Sequence, residues 1–344
     1  MLNNKPLVLV TGGTGYIGSH TVVELVEAGY GVVIVDNLSN SDRTMLNGIE
    51  RITGIQVPFV EADCCSREQM EAVFSRYEFD AVIHFAAYKA VGESVSKPLE
   101  YYTNNLQSLV NILTLMRGHK VGNLVFSSSC TVYGQADKLP VDENTVRREA
   151  TSPYGNTKHI CEDIIRDSIA AYEGLHSIAL RYFNPIGAHP SAEIGELPRG
   201  VPNNLIPFVT QTAAGIRPVL NVFGDDYNTP DGSCIRDYIN VTDLAKAHVV
   251  AVRRMTENKM KKPFEVFNVG TGHGVSTLEI VRSFEKANNL KLNYKIVGRR
   301  EGDIEAVWAD PKLANEELGW KAEKSLEETL QSAWNWQKHI SGIK

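Results

Sequence analysis

The sequence predicts an α/β protein with a doubly wound parallel sheet and a smaller, interleaved lobe toward the C-terminus. Short apolar runs alternate with stretches of helical spacing, a pattern typical of parallel strands connected by helices. A glycine-rich turn follows the first run. The apolar runs are residues 7–10, 32–35, 59–60, 81–85, 124–126 and 178–180, and the helical stretches include 17–28, 67–77 and 104–117.

The pattern changes after residue 183, where the segment 186–236 becomes rich in glycine, proline and polar turns. The sequence therefore predicts a dinucleotide-binding domain at residues 1–183 and a second lobe formed mostly by residues 184–344. An apolar run at 264–269 indicates that the chain returns to the first sheet near residues 240–270. The two parts are thus expected to be interleaved.

Composition excludes several classes of protein. The formal net charge is −6 and basic residues do not cluster beyond pairs, so nucleic acid is not an expected partner. No apolar run reaches the ~18–20 residues that span a bilayer, and the N-terminal segment lacks the features of a signal peptide. The five cysteines show no CxxC or Cys/His spacing, which predicts reduced thiols and no metal site. We expect a soluble, cytoplasmic protein.

A dinucleotide site is predicted at residues 11–18, where Gly13, Gly15 and Gly18 have GxGxxG spacing. Between a strand and a helix, such glycines let a pyrophosphate approach the backbone at the helix N-terminus. Asp36 ends the second apolar run, where a carboxylate can bind both ribose hydroxyls and repel a 2′-phosphate. NAD is therefore favoured over NADP. The alternative is a strand–turn–helix with incidental glycines and an aspartate N-cap.

Asp63, at the end of the third apolar run, leaves two interpretations open. Its carboxylate can bind the adenine amino group, or it can cap the helix that begins near Arg67.

A catalytic pair is predicted at Tyr154 and Lys158, which have YxxxK spacing and therefore share one helix face. A lysine ammonium and a cationic nicotinamide are expected to favour the tyrosine phenolate, which makes Tyr154 a usable base. Ser129, at a serine-rich strand end, is the candidate for orienting the substrate hydroxyl. By itself YxxxK also fits an exposed amphipathic helix, and the glycine turn and Asp36 decide against that alternative.

Several long segments carry a family resemblance that covers nearly the whole chain. The segments include VTGGTGYIGSHT, VIHFAAYKAVGESV, FSSSCTVYG, SPYGNTKH, LRYFNPIGAHP, VPNNLIPF and GRREGDIEAVWAD. In them the sequence resembles the extended short-chain dehydrogenase/reductases, and among these the enzymes that invert C4 of UDP-hexoses. The resemblance implies a Rossmann fold, tightly bound NAD, and interconversion of UDP-glucose and UDP-galactose through a 4-keto sugar, a step of galactose metabolism. It also implies a homodimer formed through the helices that follow Asn104 and Pro153.

The resemblance further implies a set of binding residues. Those expected to bind NAD are Gly12, Gly15, Tyr16, Ile17, Asp36, Asn37, Ser39, Asn40, Ser41, Asp63, Cys64, Phe85, Ala86, Lys89, Asn104, Ser127, Tyr154, Lys158 and Tyr182. Those expected to bind the UDP-sugar are Ser129, Tyr154, Phe183, Asn184, Asn204, Leu205, Asn221, Phe223, Arg236, Tyr238, Arg300, Asp303 and Val307. Among them, Arg236 and Arg300 can bracket a diphosphate with fork-shaped donors.

Other readings remain open beside this one. Val307 stands where members of this family can carry a bulky tyrosine, so UDP-N-acetylhexosamines are candidate additional substrates. A nucleotide-sugar 4,6-dehydratase would carry an Asp-Glu pair where this chain has Cys130-Thr131. A nucleotide-sugar decarboxylase or C5 epimerase would need a cationic pocket for a carboxylate. A non-catalytic NAD-sensing protein of the same fold would typically lose the tyrosine or the lysine, and both are retained here.

Overall fold

A computed structural model describes residues 5–300 and 303–343. Its centre is a seven-stranded parallel sheet, with strands numbered in chain order along the molecule. The strands are β1 (Leu7–Thr11), β2 (Gly31–Asp36), β3 (Phe59–Glu61), β4 (Ala81–His84), β5 (Asn123–Ser129), β6 (His176–Tyr182) and β11 (Phe264–Val269), in the spatial order β11-β6-β5-β4-β1-β2-β3.

Helices cover both faces of this sheet, which is why its central strands are apolar on both sides. Along β1, Val8 and Val10 point into one hydrophobic core, and Leu7 and Leu9 point into the other. The helices are α1 (Tyr16–Glu27), α2 (Thr44–Thr53), α3 (Arg67–Arg76), α4 (Val91–Ser96), α5 (Pro98–Gly118), α6 (Pro153–Ala171), α7 (Leu205–Ala213), α8 (Val241–Thr256), α9 (Thr277–Asn288) and α10 (Leu326–Ser341). The predicted doubly wound parallel sheet is confirmed.

The winding direction reverses beside β1. The chain runs outward from β1 through β2 to β3, and then returns to place β4 on the other side of β1. A parallel sheet opens a crevice at the carboxyl ends of the strands where such a reversal occurs, and ligands bind there. The glycine turn lies at this point of the sheet.

Shorter strands form the second lobe. They are β7 (Asn184–Ile186), β8 (Leu220–Phe223), β9 (Ile235–Arg236), β10 (Tyr238–Asn240), β12 (Val275–Ser276), β13 (Tyr294–Val297) and β14 (Ala306–Val307). Strand β7 pairs with β10, β8 pairs with β13, and β9 pairs with both β12 and β14. A separate apolar core, which includes Ile206, Val222, Phe284 and Leu330, holds α7, β8, α9 and α10 together.

Two elements after the start of the second lobe belong to the first sheet. Strand β11 pairs with β6 from Phe264 opposite Ser177 to Val269 opposite Tyr182, as the apolar run at 264–269 predicts. Helix α8 contacts α1, β5 and β6. The lobes are therefore interleaved, and the division at residue 184 stays a prediction. None of the described helices is long and apolar enough to cross a membrane.

Candidate active site

The glycine turn packs too closely to accept side chains. A Cβ on Gly18 would lie 2.2 Å from the carbonyl oxygen of Gly12, and one on Gly12, whose φ is +73°, would lie 2.9 Å from the amide nitrogen of Ala86. Helix α1 then begins with Gly15 as its N-cap, so no side chain covers the amides of its first turn. This is the strand–turn–helix context that the sequence predicts, and the first-turn amides can receive phosphate oxygens.

Asp36 ends β2 and points its carboxylate back at the glycine turn. One carboxylate oxygen accepts from the Ser41 hydroxyl at 2.8 Å and from the Leu38 amide at 2.9 Å, and the other accepts from the Thr14 amide at 3.2 Å. The residue is buried, and helix α2 has Arg43, not Asp36, as its N-cap. The N-cap alternative for Asp36 is therefore wrong. The same loop carries Asn37, Ser39 and Asn40, which are exposed.

Asp63 does not cap α3, because Ser66 is the N-cap of that helix and accepts from the Gln69 amide. The Asp63 carboxylate instead accepts from the Cys65 amide at 2.8 Å. Cys64 is buried, and the carboxylates of Asp63 and Asp36 both add to the effect of burial that raises the pKa of its thiol. The helix-cap interpretation of Asp63 is thus wrong.

The far wall of the crevice follows β4. The amide of Phe85 donates to the carbonyl of Thr11 at 3.1 Å. This hydrogen bond fixes the segment that contains Phe85 and Ala86 beside the glycine turn. Lys89 lies with its ammonium 5.9 Å from the ring centroid of Tyr16. Of the other predicted cofactor residues, Ile17 packs against the core under α1, and the Asn104 side chain donates to that of Asn105.

Helix α6 buries the face that carries Tyr154 and Lys158. Pro153 stands in its first turn, and Ser152 caps it by accepting from the Gly155 amide. Tyr154 and Lys158 are 9% and 4% exposed, so the alternative of an exposed amphipathic helix is wrong. The Lys158 ammonium donates to the Ser127 carbonyl at 2.7 Å and lies 6.0 Å from the centroid of the Tyr154 ring.

Burial drives both groups toward their neutral forms. It raises the pKa of Tyr154 to about 12, against a hydrogen bond with Ser129 that lowers it. It lowers the pKa of Lys158 to about 8, against the charges of Cys161 and Glu162. For the protein's own groups, desolvation is the largest cause acting on the pKa of Tyr154 and raises it. The expectation that Lys158 and a bound nicotinamide cation together favour the phenolate stays a prediction.

The end of β5 supplies the hydroxyls around this pair. The Ser129 hydroxyl accepts from the Thr131 amide at 3.2 Å and thereby caps a short 3₁₀ helix at Cys130–Tyr133. The hydroxyls of Ser127 and Tyr182 are hydrogen-bonded to each other. Ser129, Tyr154, Lys158, Ser127 and Tyr182 are thus brought together.

A buried ion pair between Glu162 and Arg181 holds α6 against β6. It was not predicted from the sequence. Glu162 accepts from Arg181 at 2.8 and 2.6 Å and from the Ser128 hydroxyl at 2.6 Å. Glu162 follows Lys158 by four residues and so lies on the same buried face. That spacing was a usable signal, because a charged residue in register with a buried tyrosine and lysine needs a partner.

The two arginines predicted to bind the diphosphate, Arg236 and Arg300, both lie near the Asp303 carboxylate. Arg236 in β9 lies 3.8 Å from the Asp303 carboxylate, and Arg300 lies 2.7 Å from it. Arg300 also lies 5.6 Å from the ring centroid of Phe223, which ends β8. Burial raises the pKa of Cys130 to about 12, and the charge of Arg236 opposes this shift, so Arg236 is close enough to the strand end with Ser129 to act on its neighbour.

The remaining predicted substrate residues lie in or next to β7, β8, β10 and β14 and at the start of α7. Asn184 begins β7 and its amide donates to the Asp237 carbonyl, which places it beside Tyr238 in the paired strand. Asn204 and Leu205 begin α7, and the Asn204 side chain donates to Glu196 at 2.6 Å. The side-chain amide oxygen of Asn221 is buried without a hydrogen-bond partner among the described residues. Val307 lies opposite Arg236 in the strand register and packs with Phe183 and Val132.

The fold and site define a nucleotide-binding enzyme of the extended short-chain dehydrogenase/reductase class. The sequence model of one family, described as GDP-mannose 4,6 dehydratase, matches residues 9–333. Curated relatives narrow the assignment. UDP-glucose 4-epimerase of Mus musculus is 50% identical over 337 residues, covering 96% of each chain, and that of Haemophilus influenzae is 48% identical over 332 residues, covering 96% of this chain and 97% of its own.

Solved structures agree with these relatives. UDP-glucose 4-epimerase from Bifidobacterium longum, in complex with NAD⁺ and UDP, superposes with a TM-score of 0.94 at 46% identity, over 98% of this chain and 100% of that one. The enzyme from Stenotrophomonas maltophila, with bound NAD and formylated UDP-arabinopyranose, gives a TM-score of 0.94 at 47% identity, over 98% of this chain and 100% of that one. The chain belongs to the UDP-glucose 4-epimerase family.

Proposed function

We propose that the protein is an NAD-dependent epimerase that interconverts UDP-glucose and UDP-galactose by inverting C4 of the hexose. One observation carries the proposal. The buried Tyr154–Lys158 pair contacts the carboxyl end of β5 through the hydrogen bond from Lys158 to the Ser127 carbonyl, at the same edge of the sheet as the glycine turn and Asp36. Arg236, which lies in a cluster with Arg300 and Asp303, is close enough to act on Cys130, which directly follows β5. The family to which the chain belongs supports the same reaction.

The residues fit NAD. The turn at Gly12 and Gly18 leaves no room for a Cβ, as expected where backbone must approach a pyrophosphate, and α1 points its N-terminus at the same place. Asp36 presents a carboxylate where the adenosine ribose would lie, which disfavours a 2′-phosphate. NAD held there would supply a reversible hydride acceptor for C4′ of the sugar.

The chain's own residues move the proton. Tyr154 takes the proton of the 4′-hydroxyl and later returns it, and Ser129, which is hydrogen-bonded to Tyr154, orients that hydroxyl. Because burial raises the pKa of Tyr154 to about 12, the phenolate requires positive charge nearby, from Lys158 and from the bound cofactor. Arg236 and Arg300 hold the diphosphate, which leaves the hexose free to turn between the two hydride transfers.

A 4,6-dehydratase is disfavoured although the matching family model carries that description. Water elimination needs an acid and a base next to the strand-end hydroxyl, and Cys130 and Thr131 stand there instead. A non-catalytic NAD-sensing role is disfavoured because the tyrosine and the lysine are both present and face the site.

The proposal is tested by mixing the purified protein with UDP-galactose in the absence of added NAD and measuring UDP-glucose. Formation of UDP-glucose is expected, since the cofactor should remain bound through purification. Absence of turnover both with and without added NAD would overturn the proposed function and favour the sensing role.

We further propose that the enzyme accepts UDP-N-acetylhexosamines. Val307 is buried among Phe183, Val132 and Tyr133, so its side chain ends within the wall and does not project from it. UDP-GalNAc should then turn over within roughly a thousandfold of UDP-galactose, a barrier difference of about 4 kcal/mol. A rate on UDP-GalNAc below roughly a thousandth of the rate on UDP-galactose would contradict this proposal.

We also propose a cytoplasmic homodimer. Helices α4 and α5 expose a row of apolar side chains, with Val95 61%, Leu99 75% and Val110 41% exposed. An apolar row of this length on paired helices is typical of a buried interface. The five cysteines are free, which suits a reducing compartment.

A further inference from the structure

Residues 187–200, here called the strap, leave the second lobe and lie against the dinucleotide-binding domain. At its start, the Tyr16 hydroxyl donates to the Gly187 carbonyl at 2.6 Å. Arg51 on α2 pairs with Glu193 at 2.5 Å, and Lys89 pairs with Glu196 at 3.3 Å. At its end, Arg199 donates to the carbonyls of Ser39 at 3.2 Å and Ser41 at 2.5 Å.

These contacts lie on both sides of the glycine turn. Ser39 and Ser41 follow β2, Lys89 follows β4, and Tyr16 follows β1. Because β1 lies between β2 and β4 in the sheet, the strap spans the edge at which the turn receives a dinucleotide. The strap therefore bridges the two sides of the proposed cofactor site.

The strap is packed from both sides, which fixes its position. A Cβ on Gly48 of α2 would lie 2.3 Å from the Glu193 carbonyl oxygen, and a Cβ on Gly195 would lie 2.5 Å from the Trp336 ring. Ile194 between them is fully buried. A segment held this closely is a rigid element and not a freely moving loop.

Arg199 fastens the loop that positions Asp36. Its guanidinium donates to two carbonyls of that loop, and the Ser41 side chain donates to the Asp36 carboxylate at 2.8 Å. The fork of an arginine suits two acceptors at once, whereas a lysine can satisfy them only as a point charge. Loss of Arg199 would free the loop around the ribose.

One carboxylate oxygen of Glu196 contacts a residue from each of the two predicted ligand sites. Its Oε1 accepts from Lys89, a predicted cofactor residue, and at 2.6 Å from the Asn204 amide, a predicted substrate residue. The carboxylate side chain is 13% exposed, and the Glu196 backbone carbonyl accepts from the Trp336 indole at 2.9 Å. A ligand that draws Asn204 away from this oxygen changes how firmly Glu196 holds Lys89.

We propose that the strap retains NAD through turnover and that Glu196 couples this retention to binding of the UDP-sugar. The inference rests on the proposed function, since an epimerase must keep both the reduced cofactor and the keto sugar until hydride returns. Arg199 and Glu196 act as positioning residues. Neither is assigned a contact with the reacting atoms.

The first test measures NAD release from purified protein without substrate, with an NAD-consuming dehydrogenase present to remove free cofactor. Arg199→Ala should release NAD about tenfold faster than the wild type, and Arg199→Lys should recover part of the difference. Arg253→Ala, at an exposed arginine in the last turn of α8, is the matched control. Equal release from the Arg199→Ala and Arg253→Ala variants would overturn the role of the strap.

The second test repeats the release measurement with and without saturating UDP. In the wild type UDP should slow NAD release at least about fivefold, and in Glu196→Ala the ratio should fall toward one. Glu196→Gln keeps an oxygen acceptor and should retain part of the coupling. An unchanged ratio in Glu196→Ala would overturn the coupling.

The readouts separate this inference from the proposed function. Protein that couples UDP to NAD release but does not convert UDP-galactose contradicts the epimerase assignment alone. Protein that converts UDP-galactose but releases NAD at the same rate in every variant contradicts the strap alone.

Discussion

At the scale of single residues, burial shifts the pKa values of Tyr154 and Lys158 in opposite directions. Desolvation alone would leave a neutral phenol and a lysine whose pKa is lowered to about 8. The proposed proton transfer nevertheless needs the phenolate of Tyr154, so in that proposal the tyrosine depends on cationic neighbours, whose effect burial strengthens.

Tyr154→Phe removes the proton acceptor without changing the packing of the ring. We expect kcat to fall by about 10²–10⁴ while UDP affinity, measured by calorimetry, stays nearly unchanged. Tyr172→Phe, at the exposed tyrosine that directly follows α6, is the control and should leave both quantities as they are. Weakened UDP binding in Tyr154→Phe would contradict the assigned role.

Lys158 makes stability depend on pH in a predictable direction. Because burial lowers its pKa from 10.5 to about 8, the unfolded chain binds more protons than the folded one between these values. The free energy of unfolding of the wild type should therefore rise relative to Lys158→Met from pH 8 to 10, by up to about 1.4 kcal/mol per pH unit. Urea titrations of both proteins measure the difference, and a flat or falling difference would be inconsistent with the lowered pKa.

At the scale of elements, α6 is held against β5 and β6 by the pair of Glu162 and Arg181. Both side chains are buried, 0% and 4% exposed, and the pair lies one turn beyond Lys158. The pair therefore fixes the position of the helix face that carries Tyr154 and Lys158.

Glu162→Gln should destabilise the protein by about 3–5 kcal/mol, because it leaves the Arg181 charge buried without a counter-charge. Arg166→Gln, which breaks the exposed pair with Asp163 on the same helix, should cost less than about 1 kcal/mol. Chemical denaturation measures both. Similar losses of unfolding free energy in the two variants would show that burial of the Glu162–Arg181 pair does not increase its contribution to stability.

At the scale of the whole molecule, the two lobes are interleaved, because β11 returns to the first sheet. The exposed apolar row on α4 and α5 predicts that two such molecules associate.

Val110→Lys places a charge in that row and should weaken the dimer at least about 100-fold, as light scattering over a dilution series would detect. Ile296→Lys, at an exposed isoleucine of β13, is the control. A wild-type monomer, or a Val110→Lys variant that associates normally, would refute the interface.

Local patterns were enough to predict the sheet, the glycine turn and the position of Asp36, because each depends on neighbours within one strand–turn–helix unit. Boundaries were less accurate. Helix α5 begins at Pro98, earlier than the helical stretch at 104–117, since proline suits a first turn and the apolar spacing becomes regular only later.

The sequence by itself determined which chemistry is available, because YxxxK spacing, the glycine turn and the strand-end serine are set by local geometry. The tertiary structure decided what those groups do. Desolvation, which no local pattern contains, raises the pKa of Tyr154 in the absence of a ligand. Contacts between segments more than a hundred residues apart brought Arg199 to Ser41 and Glu196 to Lys89. Such pairs form only when the second lobe folds back over the sheet, so the proposed retention of the cofactor depends on the tertiary fold.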